Sequence, residues 1–239
     1  MTNKKPIALS GQSLSQRCRE RLASLGFEVV ILQPYTRLGK GVQTHADLML
    51  LPVENKIFIY EELYGRYREL LSTLTERGYE IVTEPTPPDQ SYPEDIALNC
   101  LVIGKNIFCK KKHTSVAVRE FAEQSGYRVV NTNQGYARCT ACPVADRGII
   151  SADPSMLKAA EGIGVETLSI VGGYVMLDGF EYGFIGGSCG YYNNTLYFAG
   201  DISKHPHKER IEDFCAARGV NVVSLSDEPL ADVGSIFFF

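Results

Sequence analysis

Residues Asp95-Ile96-Ala97-Leu98-Asn99-Cys100-Leu101-Val102-Ile103, Gly104-Lys105-Asn106 and Ile107-Phe108-Cys109 read as a strand, a tight turn and a second strand. Gly and Asn tolerate the positive φ that such a hairpin turn requires. Thr114 then caps a helix to about Gln124, with Val116, Val118, Phe121 and Ala122 on its apolar side. Gly126 stops the helix, and Tyr127-Arg128-Val129-Val130 is a third strand. The passage is one β-β-α-β unit.

The same punctuation recurs along the chain. Glycine followed by a short β-rich run appears at Gly26, Gly78, Gly126, Gly164 and Gly219. Five such stops at near-regular spacing indicate a repeated supersecondary unit. In the second copy Asp47 to Val53 reads as a strand, Glu54-Asn55-Lys56 as a turn, Ile57-Phe58-Ile59 as a strand and Glu61 to Arg77 as a helix. The fourth copy turns at Ala145-Asp146-Arg147-Gly148 and starts its helix at Asp153-Pro154, an acidic cap followed by proline in the first turn. The fifth turns at Asn193-Asn194, continues with Leu196-Tyr197-Phe198, and has a helix from about His207 to Arg218. The N-terminal copy lacks a first strand: it runs Ile7-Ala8-Leu9, a helix Ser13 to Leu25, then Gly26. Val233-Gly234-Ser235-Ile236-Phe237-Phe238-Phe239 supplies the missing strand from the other end. A chain that opens mid-unit and ends with the missing piece predicts a closed ring, one domain over residues 1–239, with no exposed sheet edge. The competing architecture is a doubly wound open sheet, which alternates one strand with one helix.

Composition narrows the function classes. The chain of 239 residues carries a net charge of −4 and is 44% hydrophobic and 22% charged, ordinary globular material. Acidic balance disfavours nucleic acid as a partner. The basic run Lys110-Lys111-Lys112-His113 reads as a solvated helix start. No apolar run approaches the ~18 residues of a membrane span, and Met1 to Pro6 are not followed by a signal-peptide core. Seven cysteines, an odd number in mostly apolar contexts, fit reduced thiols in a cytoplasmic protein.

Five β-β-α-β units closed by the C-terminal strand resemble the pentein fold, the α/β propeller with pseudo-fivefold symmetry, over essentially the whole chain. The resemblance is to a minimal branch like the guanidino-group-modifying enzymes: arginine deiminases, dimethylarginine hydrolases, agmatine deiminases and amidinotransferases. It implies a cysteine on the closing strand that attacks a guanidinium carbon, a histidine two units earlier that relays protons, and acidic residues that hold the cation. On the closing strand this chain has Gly234 and Ser235, and around the histidine position Tyr136 and Arg138. The usual Cys-His pair is therefore expected to be missing, with Arg138 at the mouth of the site repelling a guanidinium. His45-Ala46-Asp47 falls in the second unit. Ribosome anti-association factors share the ring without catalysis, so the resemblance also admits a non-catalytic ring that binds a macromolecule.

Alternation along strands predicts which side chains meet at the axis. Aligning the first strands on their turns makes Met49, Asn99, Ala141, Ser188 and Ser235 equivalent; Asp47, Ala97, Cys139, Gly186 and Val233 precede them by two, and His45, Asp95, Ala137, Phe184 and Ala231 by four. The opposite parity is mostly apolar. The axial candidates for holding a small guanidino or amino-acid-like ligand are thus His45, Asp47, Asp95, Asn99, Ser188 and Ser235, with Arg138 and Cys139 beside them. The alternative is a wet core whose polar groups only satisfy one another. Arg138, Thr140 and Asp232 break the alternation, which marks the fourth unit and the C-terminus as places where the register can slip.

Cys139-Thr140-Ala141-Cys142 is the only C-x-x-C. On a strand its thiols would point to opposite faces roughly 10 Å apart, able neither to bridge nor to share a metal. Structural, redox or metal-binding, and axial-nucleophile readings of Cys139 all stand. Cys100, Cys142 and Cys189 are taken as equivalent small apolar residues. His205-Pro206-His207 is only a two-ligand pair, and neither Gly172-Gly173 nor Gly186-Gly187 has dinucleotide-loop spacing. The reading expects no cofactor and no metal.

Overall fold

The computed structural model describes residues 4–239. It contains five three-stranded sheets, each with the predicted order. In the third unit Leu101–Ile103 runs antiparallel to Asn106–Cys109, which pairs in parallel with Arg128–Asn131 across the helix Val116–Gln124. The second unit repeats this with Leu50–Val53, Lys56–Tyr60 and Glu80–Glu84, the fourth with Ala141–Val144, Gly148–Ser151 and Glu166–Ser169, and the fifth with Cys189–Tyr192, Thr195–Phe198 and Asn221–Ser224. All five helix-stopping glycines adopt positive φ, between 68° and 96°, the left-handed cap conformation a side chain would disfavour.

The ring closes as expected. Phe237–Phe238 pairs antiparallel with Ile7–Gly11, Leu9 opposite Phe237, and Ile7 and Phe239 exchange both backbone hydrogen bonds at 2.8 and 2.9 Å. Phe237 and Phe239 are buried, and Phe238 packs on Phe27, Tyr192 and Tyr197. Burying such a ring contributes roughly 2–3 kcal/mol, so the apolar tail is a seal and not a liability. One hollow of about 200 Å³ has Pro52, Val102, Pro143, Tyr191 and Phe238 around it, one residue from each unit at the same place in its hairpin. That hollow marks one end of the ring axis.

The first strands are shorter than predicted. Asp47 and Asp95 precede the ladders, and Ala46–Leu48 and Ala137–Thr140 wind into single helical turns. Close to the axis a strand runs out of ladder partners, so the backbone bonds to itself: Met49 N to Ala46 O, Asn99 N to Ile96 O, Thr140 N to Tyr136 O, Ser188 N to Ile185 O. The expected register slip occurs in the fourth unit only. Val144 pairs with Gly148 across a three-residue loop, with Ala145 at φ 54°, where the second and third units use two. Thr140, not Ala141, is therefore the counterpart of Met49, Asn99, Ser188 and Ser235, and Cys142 sits one place beyond Cys100 and Cys189. Two helix details also differ. Ser115, not Thr114, caps Val116–Gln124, and the second-unit helix divides at Tyr67 into Glu61–Arg66 and Arg68–Glu76.

Candidate active site

Four of the predicted axial residues meet around one carboxylate, with Cys139 among them. Asp47 Oδ2 accepts hydrogen bonds from Ser235 Oγ at 2.6 Å and from Cys139 Sγ at 3.1 Å. Asn99 Nδ2 donates to the same sulfur at 3.2 Å and to the Asp47 carbonyl at 3.2 Å. Donor atoms of His45, Asp47 and Cys139 all lie within 4.8 Å of one another, and all three residues are buried. Cys139 lies on the helical turn Ala137–Thr140, which aims its sulfur at the axis; an extended strand would not. Gly234, at φ 68°, makes room for His45, because a Cβ there would run into the His45 backbone. Ser235 also holds positive φ, 71°, a backbone strain tolerated where its hydroxyl is needed.

Asp232 joins the cluster from the chain's end. Its Oδ1 stands 3.8 Å from His45 Nε2 and accepts from Gly234 N at 3.1 Å; its Oδ2 accepts from Phe184 N at 2.9 Å. A Cβ at Gly187 would strike Asp232 Oδ1, so the Gly186-Gly187 pair is a requirement of close packing as well as a loop feature. The sequence signals for Asp232 were its break in alternation and this neighbouring glycine pair.

Burial sets the resting charges. It pushes the Cys139 thiol well up, reinforced by the negative fields of Asp47 and Asp232. Burial also lowers His45 below the usual imidazole value, opposed by Asp47. Asp47 is raised by burial, and Asp232 is pushed up to about 6 for the same reason. At neutral pH the site therefore holds a thiol, a neutral imidazole and an ionised Asp232. Both His45 nitrogens and Asp47 Oδ1 lack a hydrogen-bond partner. The nitrogen, oxygen and sulfur donors are also of the types a zinc ion accepts. Spacing in sequence could not reveal this set, because its members come from two units.

The other predicted residues have different places. Arg138 does not guard the mouth: its guanidinium points away from the thiol, donating to the Gly186 carbonyl at 2.8 Å and the Cys189 carbonyl at 3.0 Å, beside the Phe237 ring. Only its backbone N–H touches the cluster, donating to Asn99 Oδ1 at 2.8 Å. Ser188 turns aside to the Ile185 carbonyl, 2.8 Å away. Asp95 accepts from the Tyr136 hydroxyl at 2.6 Å and positions that ring. Cys142 takes no part in this set: its thiol donates to the Pro143 carbonyl at 3.8 Å within the apolar cluster that includes Cys189 and Cys215, so the C-x-x-C is no pair.

Above the thiol lies a cavity of about 170 Å³, with Cys139, His45 and Asp232 at its base. Tyr136, Phe180, Tyr182 and Phe184 supply aromatic walls, and Val42 and Leu177 complete them. Three of the four aromatics come from the segment between Glu166–Ser169 and Cys189–Tyr192, which contains no ladder strand and only an isolated bridge, Met176 with Ala231.

The sequence profile of the Family of unknown function (DUF6873) matches residues 10–237. The chain belongs to that family. No curated protein matches it at the sequence level. Solved structures similar to it are pentein-fold guanidino-modifying enzymes. A dimethylarginine dimethylaminohydrolase, seen as an adduct with S-methyl-L-thiocitrulline, superposes with TM-score 0.52 at 12% identity, covering 94% of this chain and 93% of its own. SxtG, an amidinotransferase from Microseira wollei, gives 0.54 at 15% identity over 90% and 77%. Agmatine deiminase from C. jejuni gives 0.56 at 9% identity over 93% and 88%. At these identities the likeness establishes the pentein propeller, and the DUF6873 chain carries its own arrangement of groups within it. No helix among the described residues is long and apolar enough to cross a membrane.

Proposed function

We propose that this DUF6873 protein is a thiol-dependent enzyme of the guanidino-modifying class, with Cys139 as nucleophile and His45 as proton relay. One observation carries the reading: Cys139, His45 and Asp47 converge within 4.8 Å, with Cys139 and His45 lining one cavity. The resemblance places cysteine and histidine two units apart on the ring. Here the histidine is in the second unit and the cysteine in the fourth, the same interval and order moved two units back around the ring. A missing cysteine on that strand does not remove the chemistry.

The resting thiol is protonated because burial and two carboxylates oppose its charge. A planar cation entering the cavity supplies the opposite field and brings the thiol toward ionisation. His45, neutral and with free nitrogens, takes the proton. The sulfur bonds to the amidinium carbon, the C–N bond to the leaving nitrogen breaks, and that nitrogen takes the proton from His45. Asp47 and Asp232 balance the cation throughout. Water or an acceptor amine then releases the carbon from sulfur.

The test compares 2-chloroacetamidine, a cation, with 2-chloroacetamide, its neutral counterpart. Alkylation is followed by intact mass and located by peptide mapping. The amidine should modify Cys139 at least tenfold faster relative to each reagent's rate with free thiol. Equal relative rates, or modification spread over other cysteines, rejects the reading. A second reading, a ring that docks a macromolecule, is favoured by the exposed Val171, Tyr174, Met176, Phe180 and Tyr182 on one segment. Co-sedimentation with ribosomes from a lysate tests it, and a protein that stays wholly in the supernatant counts against it.

A further inference from the structure

The cavity above Cys139 is lined by one carboxylate, by aromatic rings and by His45, and by no lysine or arginine. Its walls are Val42, Tyr136, Leu177, Phe180, Tyr182 and Phe184, and its charged base residue is Asp232, with Asp47 behind Cys139. Arg138, the nearest guanidinium in sequence, is committed to two carbonyls on the other side of the turn. Two hollows adjoin. One, of about 290 Å³, shares Tyr182 and Phe184; its one basic side chain is His205, which burial holds toward the neutral form and whose Nδ1 accepts from His207 N. The other shares His45, Leu177 and Asp232, and its charged lining is one lysine, Lys40, with three acidic residues, Asp178, Glu228 and Asp232. A negatively charged tail therefore meets no lysine or arginine in the first hollow, and in the second a single lysine among three carboxylates.

We infer that the substrate is a small cation with an uncharged, apolar tail, such as an alkylguanidine or alkylamidine, and not an amino acid carrying an α-carboxylate. The inference rests on the thiol chemistry proposed above. Aromatic faces and carboxylates attract a cation, whereas a carboxylate buried without a partner loses its hydration uncompensated. Size points the same way, since about 170 Å³ is below the roughly 300–1,000 Å³ of drug-sized sites. The segment carrying Leu177, Phe180, Tyr182 and Phe184 is thus the specificity element, and the turn carrying Cys139 is the reactive one.

Two amidine electrophiles with one warhead test this: N-butyl-2-chloroacetamidine and N-(4-carboxybutyl)-2-chloroacetamidine. In each, the Cys139 sulfur bonds to the chloromethyl carbon, chloride leaves, and the thiol proton passes to His45. The second-order rate for Cys139, corrected for reaction with free thiol, should be at least five times higher for the butyl compound. Any smaller ratio overturns the inference. Calorimetry with butylguanidine against 5-guanidinopentanoate reads the same preference without chemistry; binding of the first at least five times tighter upholds the substrate class even if neither electrophile reacts. Absence of alkylation alone defeats the proposed thiol mechanism. Equal or tighter binding of the carboxylate compound defeats the substrate assignment while leaving that mechanism standing.

Discussion

Arg138 and Cys139 are adjacent in sequence, yet they serve opposite ends of one axis. On the Arg138 side the polar group is bonded, with two carbonyls accepting from its guanidinium and the Phe237 ring beside it. On the Cys139 side Asp47 Oδ1 and both His45 nitrogens have no partner, though all are buried. Buried polar groups in stable cores are nearly always paired. The contrast is what the proposed function draws on: one end is bonded and the other leaves polar atoms unpartnered.

The sharpest break of this comparison is at the two adjacent residues. Cys139→Ala should lower amidine alkylation of the protein by a thousandfold or more with little loss of stability, since a small buried residue replaces another. Arg138→Met should do the reverse. It leaves the Gly186 and Cys189 carbonyls without their charged donor and should cost roughly 4 kcal/mol in urea unfolding, while Cys139 alkylation in the folded protein stays within tenfold. A loss of alkylation in Arg138→Met as large as in Cys139→Ala would show that the two ends form one unit, and the distinction would fail.

Much of the ring could be read from local punctuation. Five glycine stops, the turns at Gly104-Lys105-Asn106 and Asn193-Asn194, and the Asp153-Pro154 start are short-range signals that tertiary packing has no reason to override. Closure was legible because Val233 to Phe239 is apolar and unpaired within its own unit. The site was less so. Strand alternation brought His45, Asp47, Asn99 and Ser235 together correctly but placed Cys139 by a register one residue out. Its true position depends on the three-residue loop at Ala145 and on the helical turn Ala137–Thr140, neither of which has a periodic signature. Asp232 and the walls Tyr136, Phe180 and Tyr182 were not identified as members because they lie on turns and an irregular segment whose course is fixed by the rest of the molecule; Phe184 fell in the axial row but was not among the candidates.

Titration separates the ends in another way. Asp232 is pushed up to about 6 by burial, from 3.8 in an unstructured chain. Below pH 4 both folded and unfolded states hold the proton and the group has no effect. Between about pH 4 and 6 the unfolded chain releases it first, so the folded state loses stability as pH rises. About two units correspond to on the order of 3 kcal/mol. In Asp232→Asn the difference in unfolding free energy between pH 4 and pH 7.5 should lack this component. His45, held neutral, titrates in the opposite sense and remains in both proteins, so the comparison is between variant and parent at each pH. Identical pH profiles would mean that Asp232 is not desolvated as the geometry requires.

Ser188 and Ser235 give the smallest test, because they occupy equivalent places in neighbouring units and, apart from the positive φ of Ser235, differ in what their hydroxyls reach. Ser188 donates to the Ile185 carbonyl within its own loop, whereas Ser235 donates to the Asp47 carboxylate that also accepts from Cys139. Each serine-to-alanine change removes one hydrogen bond and should cost about 1 kcal/mol in chemical unfolding. Only Ser235→Ala should alter the thiol. Without its second donor the Asp47 carboxylate is held in the ionised form less strongly and is free to turn. The pH dependence of Cys139 alkylation should then shift by several tenths of a unit in Ser235→Ala and not in Ser188→Ala. If both variants shift equally, the hydroxyl on the closing strand has no special connection to the cysteine, and the axial cluster is no more than one more polar seam of the ring.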